Sequence, residues 1–301
     1  MIPNYEAIIA ASERVSWSLD EVIPQKQTLD FTKQFLPEAL VGAAELDFLT
    51  PAERLKLNQV RGNAYAHLFQ FVEEYIVATC IQHVQAEVFG DEHGLRAMLR
   101  FAEEEVKHQL LFKRFLEAFA KGFGTPCEGI PAQKAVAGVI LSKTPMAVMA
   151  ITLHLEVMTQ QHYVQCVDAA NDLDPTFKKM LKSHWAEEAQ HAKLDALTLR
   201  KLAATSTPEQ RKTAVQDYLD LLGALTGLLG NQAELDVKSL ELALGKTFTP
   251  PLRAALLANQ AKAYTKTFVT WGITHPMFVE TIDAVFPEDA ARIHQKAKEL
   301  V

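Results

Sequence analysis

Hydrophobic positions along most of the chain recur every three or four residues with polar positions between them, which is the spacing of an amphipathic helix. No convincing run of alternating β-branched residues indicates a strand. Breaks at 90–94, 122–131 and 171–175 divide the pattern into long segments. The predicted helices cover about 51–89, 94–121, 145–170 and 175–203. Four long helices with short connections predict an all-α antiparallel four-helix bundle.

Several of these helices begin with known N-terminal signals. Thr50 precedes Pro51 and Glu53, which makes a capping box with proline at the first helical position. The sequence TPEQ at 207–210 repeats that box. A cap followed by proline also occurs at Thr144–Pro145, Asp174–Pro175 and Thr249–Pro250. These signals predict where the helices begin, independently of the hydrophobic pattern.

The remaining segments are predicted to add helices at both ends of the bundle. A short helix at 132–142 lies in the crossover, and further helices follow at about 208–229, 232–244, 250–270 and 287–300, with an irregular stretch at 272–278. No low-complexity linker interrupts the chain, so one domain over 1–301 is expected. Its parts are an N-terminal extension (1–50), a metal-binding bundle (51–203) and a C-terminal helical extension (204–301).

Composition and charge exclude several classes of protein. The chain has 301 residues, 49% of them hydrophobic, and a net charge of −7. No basic cluster is present, so nucleic-acid binding is not expected. The N-terminus lacks a signal-peptide pattern and no apolar run reaches membrane-spanning length, so no membrane partner is expected. The three separated cysteines are typical of reduced thiols, and a cytoplasmic location is expected.

Two Glu-x-x-His pairs are the main chemical feature of the sequence. Glu105 and His108 lie on the second long helix, and Glu188 and His191 lie on the fourth. Residues three apart share one helix face, so each pair can bind one ion. Two such pairs, with one glutamate from each of the other two helices, form the ligand set of a carboxylate-bridged di-iron or di-manganese bundle.

The other two helices each supply a glutamate. Glu156 is the only acid in an apolar helix, where an unpaired carboxylate would be costly to bury. The first helix offers Glu73 or Glu74, and the prediction favours Glu74, although both helix faces are partly apolar. Glu74 lies 31 residues before Glu105, and Glu156 lies 32 before Glu188.

His184 adds a seventh candidate ligand. It lies four residues before Glu188 and seven before His191, so all three point the same way. Glu187 is expected outside the bundle, because Glu188 has the three-residue spacing to His191. Carboxylates combined with imidazoles suit iron or manganese better than a four-ligand zinc site.

With these residues the chain resembles the ferritin-like di-iron carboxylate superfamily. The pattern His184-x-x-x-Glu188-x-x-His191 looks like the three-histidine site of the p-aminobenzoate N-oxygenase family. It is also similar to a related family of predicted metal-dependent hydrolases. The resemblance implies Glu74, Glu105, His108, Glu156, His184, Glu188 and His191 as metal ligands, with Glu105 and either Glu188 or Glu156 as bridges.

The function that this resemblance implies is a non-haem di-iron oxygenase acting on a small organic substrate, in particular an amine at nitrogen. A dinuclear metal-dependent hydrolase is the alternative. The cofactor would be two iron ions, with manganese or a mixed iron/manganese centre as variants. The expected partners are a small-molecule substrate, dioxygen, an external electron donor and a second copy of the chain in a homodimer.

Overall fold

The computed structural model describes residues 4–300, and helices dominate that range with no strand among them. The helices are α1 (Tyr5–Arg14), α2 (Leu19–Val22), α3 (Glu38–Val41), α4 (Pro51–Glu87), α5 (Glu92–Phe123), α6 (Gln133–Leu141), α7 (Pro145–His162), α8 (Pro175–Ala204), α9 (Pro208–Leu244), α10 (Pro250–Tyr264), α11 (Trp271–Ile273), α12 (Pro276–Val285) and α13 (Ala290–Leu300). The prediction of an all-α fold is confirmed. None of these helices is both long enough and apolar enough to cross a membrane.

The four predicted long helices correspond to α4, α5, α7 and α8. The pairs α4–α5 and α7–α8 pack closely, and α5 also contacts α8, so the four meet as a bundle. α7 ends at His162, short of the predicted boundary, because its last turn widens into a π-helix at Tyr163–Val167. The predicted bundle is therefore confirmed, while the division of the chain into one domain with two extensions stays a prediction.

Three of the five predicted caps make their side-chain contacts, whereas Thr144 and Thr249 precede α7 and α10 without a side-chain cap hydrogen bond. Thr50 and Glu53 form the reciprocal capping box of α4, with the Thr50 hydroxyl accepting from the Glu53 amide at 3.3 Å. Thr207 forms the same box with Gln210 at the start of α9. Asp174 caps α8 by accepting from the Phe177 amide at 2.7 Å. Each of these contacts satisfies amides that the first turn of a helix leaves without an internal partner.

Two sequence predictions for the C-terminal third are wrong. The predicted break near residue 230 does not occur, and α9 is one helix from Pro208 to Leu244. Gly230 lies inside this helix with a right-handed backbone, so the glycine does not end it. The stretch predicted to be irregular contains the start of α12, which His275 caps by accepting from the Met277 amide at 3.2 Å.

Two buried histidines of α7 attach the C-terminal helices to the bundle. His154 Nε2 lies 2.9 Å from the carbonyl of Phe268, and His162 Nε2 lies 2.9 Å from that of Thr267. Both carbonyls belong to a π-helical segment, Thr265–Thr270, between α10 and α11. A carbonyl can only accept, so each Nε2 donates. Burial lowers the pKa of each histidine to about 4, so both rings are neutral structural contacts.

A buried arginine makes a second attachment between α4 and the C-terminal helices. The Arg61 guanidinium stacks over the Tyr264 ring at 3.5 Å and donates to Gln260 Oε1 at 2.5 Å. Its Nε lies 3.7 Å from Asp236 Oδ2, which also accepts from the Tyr264 hydroxyl at 2.7 Å. Burial raises the pKa of Asp236 to about 6, against the lowering effect of Arg61. This network fixes α9 and α10 against the first bundle helix.

Candidate metal centre

The bundle helices bring the two Glu-x-x-His pairs together in its interior. Glu105 and His108 of α5 face Glu188 and His191 of α8, and all four are buried. His184 lies one turn before Glu188 on the same face of α8 and is also buried. Glu156 of α7 is buried beside them. Six of the seven predicted residues therefore lie in one interior cluster.

The seventh predicted residue, Glu74, is not in the cluster. Its side chain is exposed, while its neighbour Glu73 is buried and points inward. A step of one residue turns a helix by about 100°, so only one of two adjacent glutamates can face the centre of the bundle. The expectation of Glu74 is thus corrected to Glu73. Glu73 lies 32 residues before Glu105, which equals the separation of Glu156 and Glu188.

One set of donor atoms surrounds His184. Its Nε2 lies 2.8 Å from Glu73 Oε1 and 2.7 Å from Glu188 Oε1. His108 Nδ1 lies 3.1 Å from the same Glu188 oxygen. Glu73, His108, His184 and Glu188 each offer one atom to a group whose members all lie within 4.8 Å of one another. Two imidazoles and two carboxylates could therefore hold one ion here.

A second set of donor atoms surrounds His191. Its Nδ1 lies 2.8 Å from Glu105 Oε1 and 3.0 Å from Glu188 Oε2. The other oxygen of Glu105 is 3.9 Å from His108 Nδ1. Glu105 and Glu188 thus each direct one oxygen towards His108 and the other towards His191. This is the arrangement of two carboxylates that bridge a pair of ions.

Glu156 is buried on α7 beside the second set. Burial, together with the negative charge and hydrogen bond of Glu188, holds the pKa of Glu156 well above its usual range. The carboxyl group therefore lies against Glu188, close to His191. A nearby positive charge would favour the ionised form of this carboxyl group.

Several buried atoms of the cluster make no well-aligned hydrogen bond among residues 4–300, although Glu105 Oε1 lies 2.8 Å from His191 Nδ1 and His108 Nδ1 lies 3.1 Å from Glu188 Oε1. They are Glu73 Oε2, both carboxylate oxygens of Glu105, and His108 Nδ1. Buried donors and acceptors are nearly always paired in native proteins, so several orphans at one point need an explanation. Glu73, Glu105, Glu156 and Glu188 would carry four negative charges when ionised, which two divalent cations would balance. The donor set therefore fits a dinuclear metal centre.

Two further glutamates hold the histidine rings from behind, and the sequence interpretation missed both. Glu187 Oε2 lies 2.8 Å from His108 Nε2, and Glu104 Oε2 lies 2.9 Å from His191 Nε2. Glu187 had been expected outside the bundle, but it is fully buried because it crosses from α8 to the histidine on α5. Glu104 makes the reciprocal contact from α5 to α8. Carboxylates in this position orient the ring and raise its basicity towards a metal.

Each supporting glutamate is itself paired. Lys107 Nζ donates to Glu187 Oε1 at 2.5 Å, and the Lys107 ammonium lies 4.3 Å from the centre of the Trp17 ring. Ser12 donates its hydroxyl to Glu104, and Arg100 Nε donates to that hydroxyl at 2.8 Å. The N-terminal segment therefore supports the cluster, since it supplies both Ser12 and Trp17. Residues 4–50 thus contribute to the site without supplying a residue to either set of donor atoms.

The pKa shifts in the cluster show how the charges depend on one another. Burial raises the pKa of Glu73 to about 8, against its hydrogen bond with His184. Burial opposes charge on Glu188 too, but His184 and His191 hold its pKa well below the usual range. The pKa of His191 is well above its usual range, because Glu188 and the neighbouring carboxylates outweigh burial. Divalent metal would supply the same positive charge and displace the imidazole protons.

Aromatic side chains separate the cluster from solvent. Phe69 and Phe112 pack edge-on against the His184 ring, with centroids 5.4 and 4.9 Å away. Phe101 packs on His191 at 4.2 Å. Such walls lower the local dielectric and strengthen the interaction of the carboxylates with a cation. They also keep bulk water from the donor atoms.

Comparison with known proteins places this arrangement in a family. The sequence profile of the p-aminobenzoate N-oxygenase AurF family matches residues 8–237. No curated protein sequence matches the chain. Among solved structures, one similar to this chain is an R2-like ligand-binding oxidase with a Y715F substitution and an anaerobically reconstituted Mn/Fe cofactor. It is 13% identical, with a TM-score of 0.50, and the match covers 88% of this chain and 92% of the oxidase chain. A V72I variant with aerobically reconstituted cofactor is 14% identical, with a TM-score of 0.49 over 88% and 93%.

Proposed function

This chain belongs to the p-aminobenzoate N-oxygenase family, and on that premise we propose that it is a di-iron oxygenase that oxidises a small organic amine at nitrogen. The observation that carries the proposal is the buried group of three carboxylates and three imidazoles, whose donor atoms lie within 4.8 Å of one another in two sets, with a fourth carboxylate, Glu156, buried beside them. Family membership favours the oxygenase over the hydrolase, which has no separate support.

The proposed ligands come from all four bundle helices. One ion would bind Glu73, His108 and His184, and the other would bind His191 and Glu156. Glu105 and Glu188 would bridge them, since each has one oxygen near His108 and one near His191. We propose iron in both positions, with manganese in one or both as the variant, because carboxylates and imidazoles serve both metals.

The protein's own residues have three tasks in this reaction. Glu104 and Glu187 accept from the outer nitrogens of His191 and His108, so the inner nitrogens carry their lone pairs towards the metals. Phe69 and Phe112 hold the His184 ring and exclude water. The four carboxylates keep the net charge of the loaded centre near zero, so it can remain in an apolar interior.

The proposed reaction balances with an external electron donor. One oxygen atom of dioxygen is added to the amine nitrogen, which gives a hydroxylamine. The other is reduced to water with two electrons from the donor and two protons. When bound, the two metal ions would supply the binding and activation of dioxygen. We propose a separate reductase or a small reductant as the electron source.

The test is reconstitution with ferrous iron under anaerobic conditions, followed by addition of oxygen and a panel of amines. The expected result is two irons per chain and amine-dependent oxygen consumption with an N-oxidised product. Glu105→Ala and His191→Ala are expected to lose both. Glu103→Ala is the matched control, because Glu103 lies on the same helix but is exposed. Two bound metals without any oxygen-dependent product from any amine would contradict the proposal.

Two further proposals concern the state of the protein in the cell. We propose a homodimer, because α4 and α5 present exposed apolar side chains on their outer faces, among them Ile81, Leu99, Val106 and Leu110. Sedimentation that gives the mass of one chain at micromolar concentration would contradict it.

We propose a cytoplasmic location, because Cys80, Cys127 and Cys166 are unpaired thiols. Cell fractionation tests that location.

A further inference from the structure

An apolar cavity of about 70 Å³ lies between α4, α6, α7 and α9. Its walls include Leu68 and Val72 of α4, Leu155 of α7, and Leu225 and Leu228 of α9. Among the residues that line it, only Tyr75 carries a polar group, and none carries a charge. The leucine-rich stretch of α9 at 219–230 therefore has a defined place, as one wall of this cavity.

The cavity lies near the metal centre on the side of α7. Its wall residue Leu155 is adjacent in sequence to Glu156 and faces about 100° away from it around the helix. Its wall residue Phe268 packs against Phe69, whose other side contacts the His184 ring. Two side chains, Phe268 and Phe69, thus lie in series between the cavity and the His184 ring.

Tyr75 connects the two spaces. Its ring lines the cavity, its side chain is only 1% exposed, and its hydroxyl lies near Thr152 without a well-aligned hydrogen bond within residues 4–300. Burial raises the pKa of Tyr75 against the lowering effect of Thr152, and the charges of Glu156, Asp195 and Glu105 add to the effect of burial. A buried phenol without a well-aligned partner, between an apolar cavity and a metal site, can hydrogen-bond the polar end of a bound molecule.

From these observations, and resting on the proposed function, we propose that the cavity is the substrate pocket and that it selects an uncharged amine with an apolar body, not p-aminobenzoate. The apolar body would lie among the leucines of α4 and α9, with the amine directed towards Tyr75 and the cluster. A carboxylate in this cavity would lose its hydration and meet no cation in return, which disfavours its binding strongly. The pocket is therefore unsuited to the acid in the family's name.

The entrance lies under α6. None of the side chains of α6 is buried, and the helix begins at Ala132 with no side-chain cap and a backbone φ of 59°. Val136, Val139 and Ile140 close the cavity from outside. The present volume is about half of the roughly 150 Å³ that accommodates benzene in a protein interior. Entry of an organic amine therefore requires α6 to move outward, and few contacts oppose that movement.

The test is equilibrium binding to the iron-loaded protein without oxygen, measured by titration calorimetry with p-butylaniline and with p-aminobenzoate. We expect p-butylaniline to bind about a hundredfold or more tightly than p-aminobenzoate. Leu228→Arg places a cation in the wall of the cavity. It is expected to weaken the binding of p-butylaniline and to strengthen the binding of p-aminobenzoate. Leu242→Arg is the matched control, on the same helix at an exposed position outside the cavity. Ala224→Phe, at the exposed rim, is a second variant that narrows the pocket and adds no charge.

The outcomes separate this inference from the proposed function. The inference is overturned if the protein binds the two probes with equal affinity. It is also overturned if Leu228→Arg and Leu242→Arg change the affinities equally and Ala224→Phe does not change them. Tight binding of p-butylaniline without oxygen-dependent turnover of any amine would support the pocket and contradict the oxygenase. Oxidation of p-aminobenzoate with no binding of p-butylaniline would support the oxygenase and overturn the pocket.

Discussion

The contact between Glu187 and His108 gives the sharpest test of how the protein tunes its metal centre. Glu187 is fully buried, 2.8 Å from His108 Nε2 and 2.5 Å from Lys107 Nζ. Glu187→Gln keeps the size of the side chain and removes its charge. Loss of such a supporting carboxylate weakens metal binding by about 10- to 100-fold. Because Glu187 is wholly buried, we expect a value near about 100-fold, or roughly 2.7 kcal/mol.

The reciprocal variant, Glu104→Gln, should have a smaller effect. Ser12 donates to Glu104 and Arg100 Nη2 lies 3.7 Å from it, while the Arg100 side chain is 32% exposed, so water can compensate part of the lost charge. We expect about a 10-fold loss of affinity at the ion bound by His191. The assay is competition between the protein and a chelator for ferrous iron under anaerobic conditions, with two binding steps resolved.

Two controls isolate the cause. Glu103→Gln removes a charge from the exposed face of α5 and should leave both affinities unchanged. Lys107→Gln removes the cation that pairs with Glu187 and leaves the contact between Glu187 and His108 in place. It should therefore reduce the affinity for metal less than Glu187→Gln does. If Glu187→Gln binds both ions as tightly as Glu103→Gln does, the argument that this carboxylate acts through His108 is refuted.

Three further predictions concern the ligands and the fold. Glu73→Gln should reduce bound iron below two per chain by elemental analysis, whereas Glu74→Gln should not; equal loss in both would contradict the inward placement of Glu73. Arg61→Met should lower the unfolding free energy in urea by about 3–5 kcal/mol, because it leaves Asp236 buried without its cation; a change below about 1 kcal/mol would contradict that pairing. Removal of iron by a chelator should lower the melting temperature by several degrees, because each ion at about 100 times its Kd adds about 2.7 kcal/mol to the native state; an unchanged melting temperature would contradict a built metal centre.

The Glu-x-x-His pairs could be predicted from the sequence because both members of each pair lie on one helix. The spacing of Glu105 and His108, or of Glu188 and His191, fixes their common face whatever the rest of the fold does. The helix starts could be predicted for the same reason, since Thr50 caps α4 through contacts three residues away. Local geometry was sufficient for both.

The supporting glutamates and the first-helix ligand depend on contacts between helices. Glu104 and Glu187 act on histidines of the opposite helix, and no spacing within α5 or α8 reveals that. Both faces of α4 near Glu73 and Glu74 are partly apolar, so the hydrophobic pattern does not choose between them. The equal separation of 32 residues in the two halves was the available signal, and it favours Glu73.

The most direct test of the central claim is a crystal structure of the iron-loaded protein with anomalous scattering recorded at the iron edge. We predict two peaks inside the bundle, about 3.5–4 Å apart. One should be bound by Glu73, His108 and His184, and the other by His191 and Glu156, with Glu188 between them. A single peak, or iron bound only at surface carboxylates while these buried side chains keep each other as partners, would contradict the account.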